Sequence, residues 1–192
     1  MGRPKEFDPE AAVEQAMRVF WRQGYAATTP QHLVDTLHIG KGSLYNAFGG
    51  KRQLFDLALR RYLDQQALAM KALTEDSSPV KERLRKALCF LTEIDASDPE
   101  RRGCLATNSV VEFGCTDETV ATLARGHFDR IESTLQALID DGLRTGEIQP
   151  GRDTKALASM LLNTVTGIQV LTRIEPGPDR LLRAIDATID LL

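Results

Sequence analysis

The sequence predicts an all-α protein in two parts. Apolar residues recur at the three- and four-residue spacing of amphipathic helices along most of the chain, and no segment shows the strict alternation of a strand. Gly, Pro and N-capping residues separate these patterns at intervals that suit helices of ordinary length. We therefore expect a three-helix N-terminal domain over residues 1–50, and a helical C-terminal domain over residues 51–192 whose first helix, residues 51–73, connects the two.

The first helix is predicted to begin after Asp8, a good N-cap, with Pro9 at the first helical position and Gly24 at the end. Its buried stripe is formed by Ala12, Val13, Ala16, Met17 and Phe20. Ahead of it, Arg3 belongs to a short basic arm. The arm either reaches a groove or a phosphate of DNA, or is a frayed terminus.

Residues 28–55 contain two short helical patterns separated by a tight turn near Gly40. Thr29 is the expected N-cap of the first, with Pro30 at its first position. The second begins at Lys41, and its outer face has no acidic residue. Small residues let a helix approach a DNA groove closely, and hydroxyls and amides donate to phosphates or base edges. The pattern predicts a DNA-reading helix, with a plain surface helix as the alternative.

The residues around this helix resemble the helix-turn-helix signature of the TetR family of transcriptional regulators. The resemblance is carried by Leu44 and Tyr45, by FGGK at residues 48–51, and by the approach AMRVFWRQGYAATT at residues 16–29. It covers residues 2–62. It implies an all-α homodimer with an N-terminal DNA-binding domain, and a C-terminal domain that binds a small molecule and dimerises.

Two positions depart from the family pattern. His38 stands in the turn where Gly is usual, and a left-handed conformation there costs a non-Gly residue about 1 kcal/mol. Gly50 stands where a Ser N-cap is common. Neither departure removes a predicted DNA contact. We expect phosphate contacts from Thr29, Tyr45 and Lys51. We expect base-edge contacts from Gln31, Lys41, Gly42, Ser43 and Asn46.

Charge is divided unevenly between the two parts. Residues 1–62 hold nine Lys and Arg against six Asp and Glu, and the remaining residues hold fifteen against twenty-one. A basic head on an acidic body favours one orientation on DNA, although an asymmetry of this size is also common by chance. The partner that the family resemblance implies is double-stranded DNA with a palindromic operator, because a helix-turn-helix dimer has two-fold symmetry.

Composition argues against several other classes of protein. Three cysteines without close spacing favour neither a disulfide framework nor a zinc site, and the three His form no recognised metal spacing. No nucleophile motif appears, so we expect neither an enzyme nor a cofactor. No secretion signal or membrane-spanning apolar stretch is visible, and a cytoplasmic location is expected. A helical adaptor remains the rival to a DNA-binding regulator.

The long helix at residues 51–73 is expected to join the DNA end to the body as one rigid element. Later helices are predicted to open at Ser78–Pro79, at Cys104 and after Thr116 and Asp153, and one more follows EPGP at residues 175–178. The last two patterns are unusually apolar and suit a four-helix dimer interface, or else only close their own core. The expected interface residues are Leu157, Leu161, Ile168, Leu181, Ile185 and Ile189.

The middle helices are expected to enclose a cavity for an unidentified small-molecule effector, although the same residue mixture is typical of ordinary helical cores. The expected lining residues are Met70, Phe90, Cys104, Asn108, Val111, Phe128, Leu162, Thr166 and Gln169. The favoured function is a repressor that its ligand releases from DNA. The alternative is a thiol sensor of oxidants or electrophiles through Cys104, which a helix N-terminus would make more reactive, unless this side chain only packs.

Overall fold

The computed structural model describes residues 7–92, 100–114 and 116–192, and the predicted arm containing Arg3 lies outside them. The described residues form nine α-helices and no strand, which confirms the all-α fold. In chain order the helices are α1 (Pro9–Ala27), α2 (Pro30–Leu37), α3 (Lys41–Phe48), α4 (Lys51–Thr74), α5 (Val80–Thr92), α6 (Leu105–Phe113), α7 (Glu118–Thr145), α8 (Thr154–Leu171) and α9 (Asp179–Asp190).

Most of the predicted helix starts are confirmed by their caps. Side chains of Asp8, Thr29 and Asp153 accept hydrogen bonds from backbone N–H groups in the first turns of α1, α2 and α8. The prediction was wrong at α7, where Asp117 rather than Thr116 is the N-cap and accepts from the Val120 amide. A carboxylate at this position also interacts favourably with the helix dipole.

Apolar side chains are buried in two clusters. The first joins α1, α2, α3, the first half of α4 and the start of α6, and includes Phe20, Leu44 and Phe55. The second joins the end of α4 to α5, α7, α8 and α9, and includes Leu135 and Leu161. Because α4 contributes to both clusters, one continuous helix connects the two cores, as expected.

The expected dimer residues lie mostly inside the second cluster. Leu161, Ile168, Leu181, Ile185 and Ile189 are buried within their own chain, and Leu157 is half-buried against the same cluster. Side chains buried within their own chain offer little surface to a partner, so the described contacts do not support these five as interface residues, and Leu157 stays a prediction. The apolar stripes of α8 and α9 face α5 and α7, which a sequence pattern cannot distinguish from a partner subunit.

Substitution by Ala is predicted to change the stability in opposite directions at two glycines of α7. A Cβ at Gly142 would lie 2.7 Å from Ile148 Cδ1 and 3.1 Å from Val80 Cγ1, whereas a Cβ at Gly126 would meet nothing within 4 Å. We expect Gly142→Ala to lower the free energy of unfolding by about 1–3 kcal/mol through overpacking. Gly126→Ala should raise it by up to about 1 kcal/mol through helix propensity. Urea unfolding measures both, and stabilisation by Gly142→Ala would contradict the close packing.

Candidate nucleic-acid interface and ligand cavity

The reading helix α3 is held by two buried side chains. Leu44 and Phe48 enter the first core cluster, so the opposite side of the helix faces solvent. Tyr45 is 46% exposed, and a Cβ on Gly42 would meet nothing within 4 Å. The structure brings most of the expected contact residues onto this outer face, namely Lys41, Gly42, Ser43, Tyr45 and Asn46. Of these, Ser43 is half-buried and the others are exposed.

The turn before α3 has the left-handed residue that the sequence suggested. His38 adopts φ 53° and ψ 35° at the end of α2, and its backbone N–H donates to the Val34 carbonyl. The hydrogen bond offsets part of the conformational cost of a non-Gly residue in this region. The turn sets the angle between α2 and α3, and therefore the direction in which the reading face points.

The two predicted contacts on α2 already have partners within the chain. The Thr29 hydroxyl accepts a hydrogen bond from the His32 amide, and Gln31 Nε2 donates to Asp35 Oδ1 at 2.8 Å. Both side chains are exposed beside α3. Thr29 keeps its hydroxyl proton as a donor, whereas Gln31 must exchange its partner to reach a base.

The structure assigns Lys51 a different role from the predicted phosphate contact. Its Nζ donates to the carbonyls of Tyr25, at 2.8 Å, and Thr28, at 2.6 Å, and lies 3.9 Å from the centre of the Tyr25 ring. Burial lowers the pKa of this ammonium, and the Glu112 carboxylate opposes that change. Two of its three N–H donors are thus used to hold the chain between α1 and α2. The sequence could not reveal this, because the two carbonyls lie 26 and 23 residues before Lys51 and are brought to it only by the packing of α1 against α4.

A break in α1 occurs at Gly24, where φ is 80° and ψ is 174°. This conformation suits glycine, and it turns the amides of Tyr25 and Ala26 away from the helix. The Glu112 carboxylate of α6 accepts from both, at 2.8 Å from the Tyr25 nitrogen. Glu112 therefore joins α6, in the C-terminal part of the chain, to the end of α1, in the part that is predicted to bind DNA. Sequence reasoning missed it, although it is the one acidic residue in the apolar segment 104–113.

A second link between head and body joins α4 to α7. The Arg52 guanidinium donates to both carboxylate oxygens of Asp117, the N-cap of α7, and also to Asp56. The hydrogen bonds to Asp117 and Asp56 raise the pKa of Arg52, and the Arg52 guanidinium lowers the pKa of the Asp117 carboxyl group. Bidentate pairing of this kind is directional as well as attractive. The positive charge of Arg52 therefore fixes the start of α4 against the start of α7.

The expected lining residues do not share one cavity, and those that line a cavity among the described residues are divided between two. One, of about 440 Å³, lies between α4 and α7 and is lined by Met70, His127 and Ile131 among others. The other, of about 320 Å³, lies at the junction of α1, α6 and α8 and includes Asn108 and Val111. We call the second the junction cavity. Both volumes lie within the usual range for small-molecule sites, about 300–1,000 Å³.

Packing explains why the other expected lining residues do not share one cavity. Gln169 is 4% exposed; it accepts from the Thr107 hydroxyl and donates to the Leu91 carbonyl, which fills the space between α6 and α8. Thr166 donates its hydroxyl to the Leu162 carbonyl of its own helix. The remaining apolar side chains pack against the core clusters, and these are Phe90, Phe128 and Leu162.

Cys104 is the N-cap residue of α6, as the sequence suggested, but its side chain is only 2% exposed. It belongs to the first core cluster with Leu105 and Val120. A sensing thiol must be reached by its oxidant, so burial favours the packing interpretation. Cys89 on α5 is half-buried, and burial raises the pKa of its thiol.

The described residues contain no group of three His, Cys, Asp or Glu side chains suited to a metal ion. Among the helices in these ranges, none has a stretch sufficiently long and apolar to span a lipid bilayer.

Comparisons with known proteins agree with this architecture. Residues 12–58 match the family model "Bacterial regulatory proteins, tetR family", and residues 80–188 match "Tetracyclin repressor-like, C-terminal domain". The chain is 32% identical to the HTH-type transcriptional regulator YezE of Bacillus subtilis, over 100% of both chains. It is 29% identical to the HTH-type transcriptional repressor ComR of Escherichia coli, over 99% of this chain and 91% of ComR.

Solved structures show the same fold. A cysteine mutant of the TetR family regulator CifR, complexed with 26-base-pair operator DNA, superposes with a TM-score of 0.84 at 25% identity, over 98% of each chain. Reduced NemR from E. coli superposes with a TM-score of 0.82 at 15% identity, over 93% of each chain. The second likeness concerns the fold alone.

The Lys51 geometry predicts a loss of stability on substitution. We expect Lys51→Met to lower the free energy of unfolding by about 2 kcal/mol, because two charge-assisted hydrogen bonds are lost. Lys41→Met, on the exposed face of α3, should change it by less than about 0.5 kcal/mol. Urea unfolding measures both. If Lys51→Met is as stable as the wild type, the two hydrogen bonds do not stabilise the fold, and the role of Lys51 is phosphate binding alone.

Burial of His127 predicts a pH dependence of stability. This side chain is 3% exposed, and burial, followed by the charge of Arg130, lowers its pKa from 6.5 to about 4. The unfolded chain then binds more protons between these values, so stability is full above about pH 6.5 and falls towards pH 4, by about 3 kcal/mol for this group.

His127→Gln should therefore make the free energy of unfolding less dependent on pH between pH 4.5 and 6.5. His32→Gln removes an exposed imidazole and is the matched control. A wild-type slope in His127→Gln would show that this imidazole is not the group responsible.

Proposed function

Because the chain belongs to the TetR family of bacterial transcriptional regulators, we propose that it is a dimeric repressor that leaves a palindromic operator when a small molecule binds. The observation that carries DNA binding is the outer face of α3. It presents small and polar side chains without an acidic residue, on a helix fixed to the core by Leu44 and Phe48. Such a face suits close approach to the major groove.

The relatives support this assignment. CifR, which is similar over 98% of the chain, forms a complex with operator DNA, and ComR is a transcriptional repressor. In the proposed complex Thr29 and Tyr45 bind phosphates, while Gln31, Lys41, Gly42, Ser43 and Asn46 lie near base edges. Lys51 acts by holding the reading head together, and its third N–H donor is directed to a phosphate.

A dimer is proposed because two reading helices are needed for a palindromic site. The residues that lie towards solvent on α8 differ from those expected at first. They form an uncharged stripe of exposed or half-buried residues, namely Ala156, Met160, Asn163 and Gly167. An uncharged helical face of small and apolar residues suits close packing against the same face of a second copy, related by two-fold symmetry.

Release requires the effector to prefer the state that does not bind DNA. A 100-fold preference corresponds to about 2.7 kcal/mol. The elements that can transmit this difference are α4, which enters both core clusters, and the bonds of Glu112 and Arg52 between head and body. Small changes at the body then alter the direction and separation of the two reading helices.

Two substitutions on α3 should separate phosphate binding from base reading. Tyr45→Phe removes a phosphate donor and should weaken binding to all duplexes about fivefold, or about 1 kcal/mol. Asn46→Ala should instead lower discrimination at one base pair by about 1–3 kcal/mol and leave non-specific affinity unchanged. Fluorescence anisotropy against the DNA upstream of the protein's own gene, and against a scrambled duplex, measures both.

Thr122→Ala, exposed on α7, is the control for loss of a surface polar group. Wild-type protein that binds neither duplex at low salt would refute the proposed function and favour a helical adaptor.

The oligomeric state tests the stripe on α8. A Cβ at Gly167 or at Gly126 of α7 would meet nothing within 4 Å, so both positions accept a side chain within one subunit. We expect Gly167→Arg to sediment with the 21.3 kDa mass of a single chain and to lose operator affinity. Gly126→Arg should remain a dimer. A dimeric Gly167→Arg protein would exclude α8 as the centre of the interface.

A further inference from the structure

The junction cavity has a wall suited to an apolar ligand. The partly exposed aromatic residues Trp21 and Tyr25 belong to its lining, together with Val111 and Val170, which are 77% and 52% exposed. Aromatic rings give a large contact area at little cost in side-chain freedom. Its volume of about 320 Å³ suits a molecule with one ring or a short chain.

A positive charge stands at the edge of this wall. The Arg173 guanidinium is exposed, and its hydrogen bond is with the neutral Asn108 Oδ1 at 2.9 Å. Among the described residues, no carboxylate forms an ion pair with it. The Asn108 amide in turn donates to the Arg102 carbonyl, which fixes its orientation. Arg173 is therefore positioned by a weak partner that an anion would displace.

The charge and the wall together select a class of ligand. Arg binds a carboxylate through two parallel N–H donors, and a carboxylate is a better acceptor than an amide oxygen. The one acidic residue among the described lining residues, Glu112, is engaged by the Tyr25 and Ala26 amides. We propose that the junction cavity binds a small amphipathic carboxylate, with its anion on Arg173 and its apolar part against the α1 aromatics.

Binding at this place acts on the head–body link. The cavity is lined by Tyr25 from α1 and by Glu112 from α6, and these two residues are joined by a hydrogen bond from the Tyr25 amide to the Glu112 carboxylate. A ligand that enters between α1 and α6 separates these elements and lowers DNA affinity. This regulatory step rests on the proposed function, whereas ligand binding itself does not.

Trp21 makes the occupancy measurable. It is the single Trp of the chain and lines the junction cavity, and its indole N–H donates to the Gly103 carbonyl. We would titrate the full-length protein with 3-phenylpropionate and octanoate, and with the neutral 3-phenylpropionamide, while exciting the indole selectively. We expect a saturable fluorescence change with both acids and at least tenfold weaker binding of the amide.

Arg173→Gln should weaken binding of the acids at least tenfold and change binding of the amide less than twofold. Arg183→Gln, exposed on α9, is the control for loss of one surface charge. No saturable change with either acid, equal affinity for acid and amide, or unchanged affinity in Arg173→Gln would each overturn the proposal.

Anisotropy of labelled operator DNA in the same samples separates the two proposals. Loss of DNA affinity as the acid saturates Trp21 supports the regulatory step. Acid binding without a change in DNA affinity overturns that step alone. Absence of DNA binding before any ligand is added refutes the proposed function and leaves the titration valid.

Discussion

The break in α1 after Gly24 is the constraint on which the rest of the structure depends. Breaking a helix leaves carbonyls and amides without helical partners, and buried ones must be satisfied. Lys51 supplies donors to the carbonyls of Tyr25 and Thr28, and Glu112 supplies acceptors to the amides of Tyr25 and Ala26. One partner comes from α4 and the other from α6, so the segment after the break joins α1 to both of these helices.

This arrangement changes what the basic residues near the head contribute. The sequence predicts a phosphate contact from Lys51, yet its ammonium is held by backbone carbonyls of the protein, and the neighbouring Arg52 is held by the N-cap Asp117 of α7. In the proposed complex, the interface with DNA therefore relies more on the fit of small polar groups than on charge. Positioned side chains of this kind favour discrimination between sequences, whereas charge favours affinity for any duplex.

The centre of the body is filled, and the cavities that contain expected lining residues lie away from it. Gln169 joins Thr107 to the Leu91 carbonyl across the space where one large cavity was expected. A buried amide with both ends satisfied stabilises the packing of α6 against α5 and α8.

The sequence by itself determined the helices, most of their caps, the outer face of α3 and the family, because these depend on local spacing and on a motif within one segment. Even the left-handed His38 could be foreseen from its place in the turn. Only the tertiary structure decided that α8 and α9 bury their apolar stripes in their own core, and that Cys104 is covered. It also decided that the side chains of Lys51 and Glu112 both bind backbone groups of residues 25–28. An apolar stripe indicates that one face of a helix is buried, whereas the partner of that face depends on residues distant along the chain.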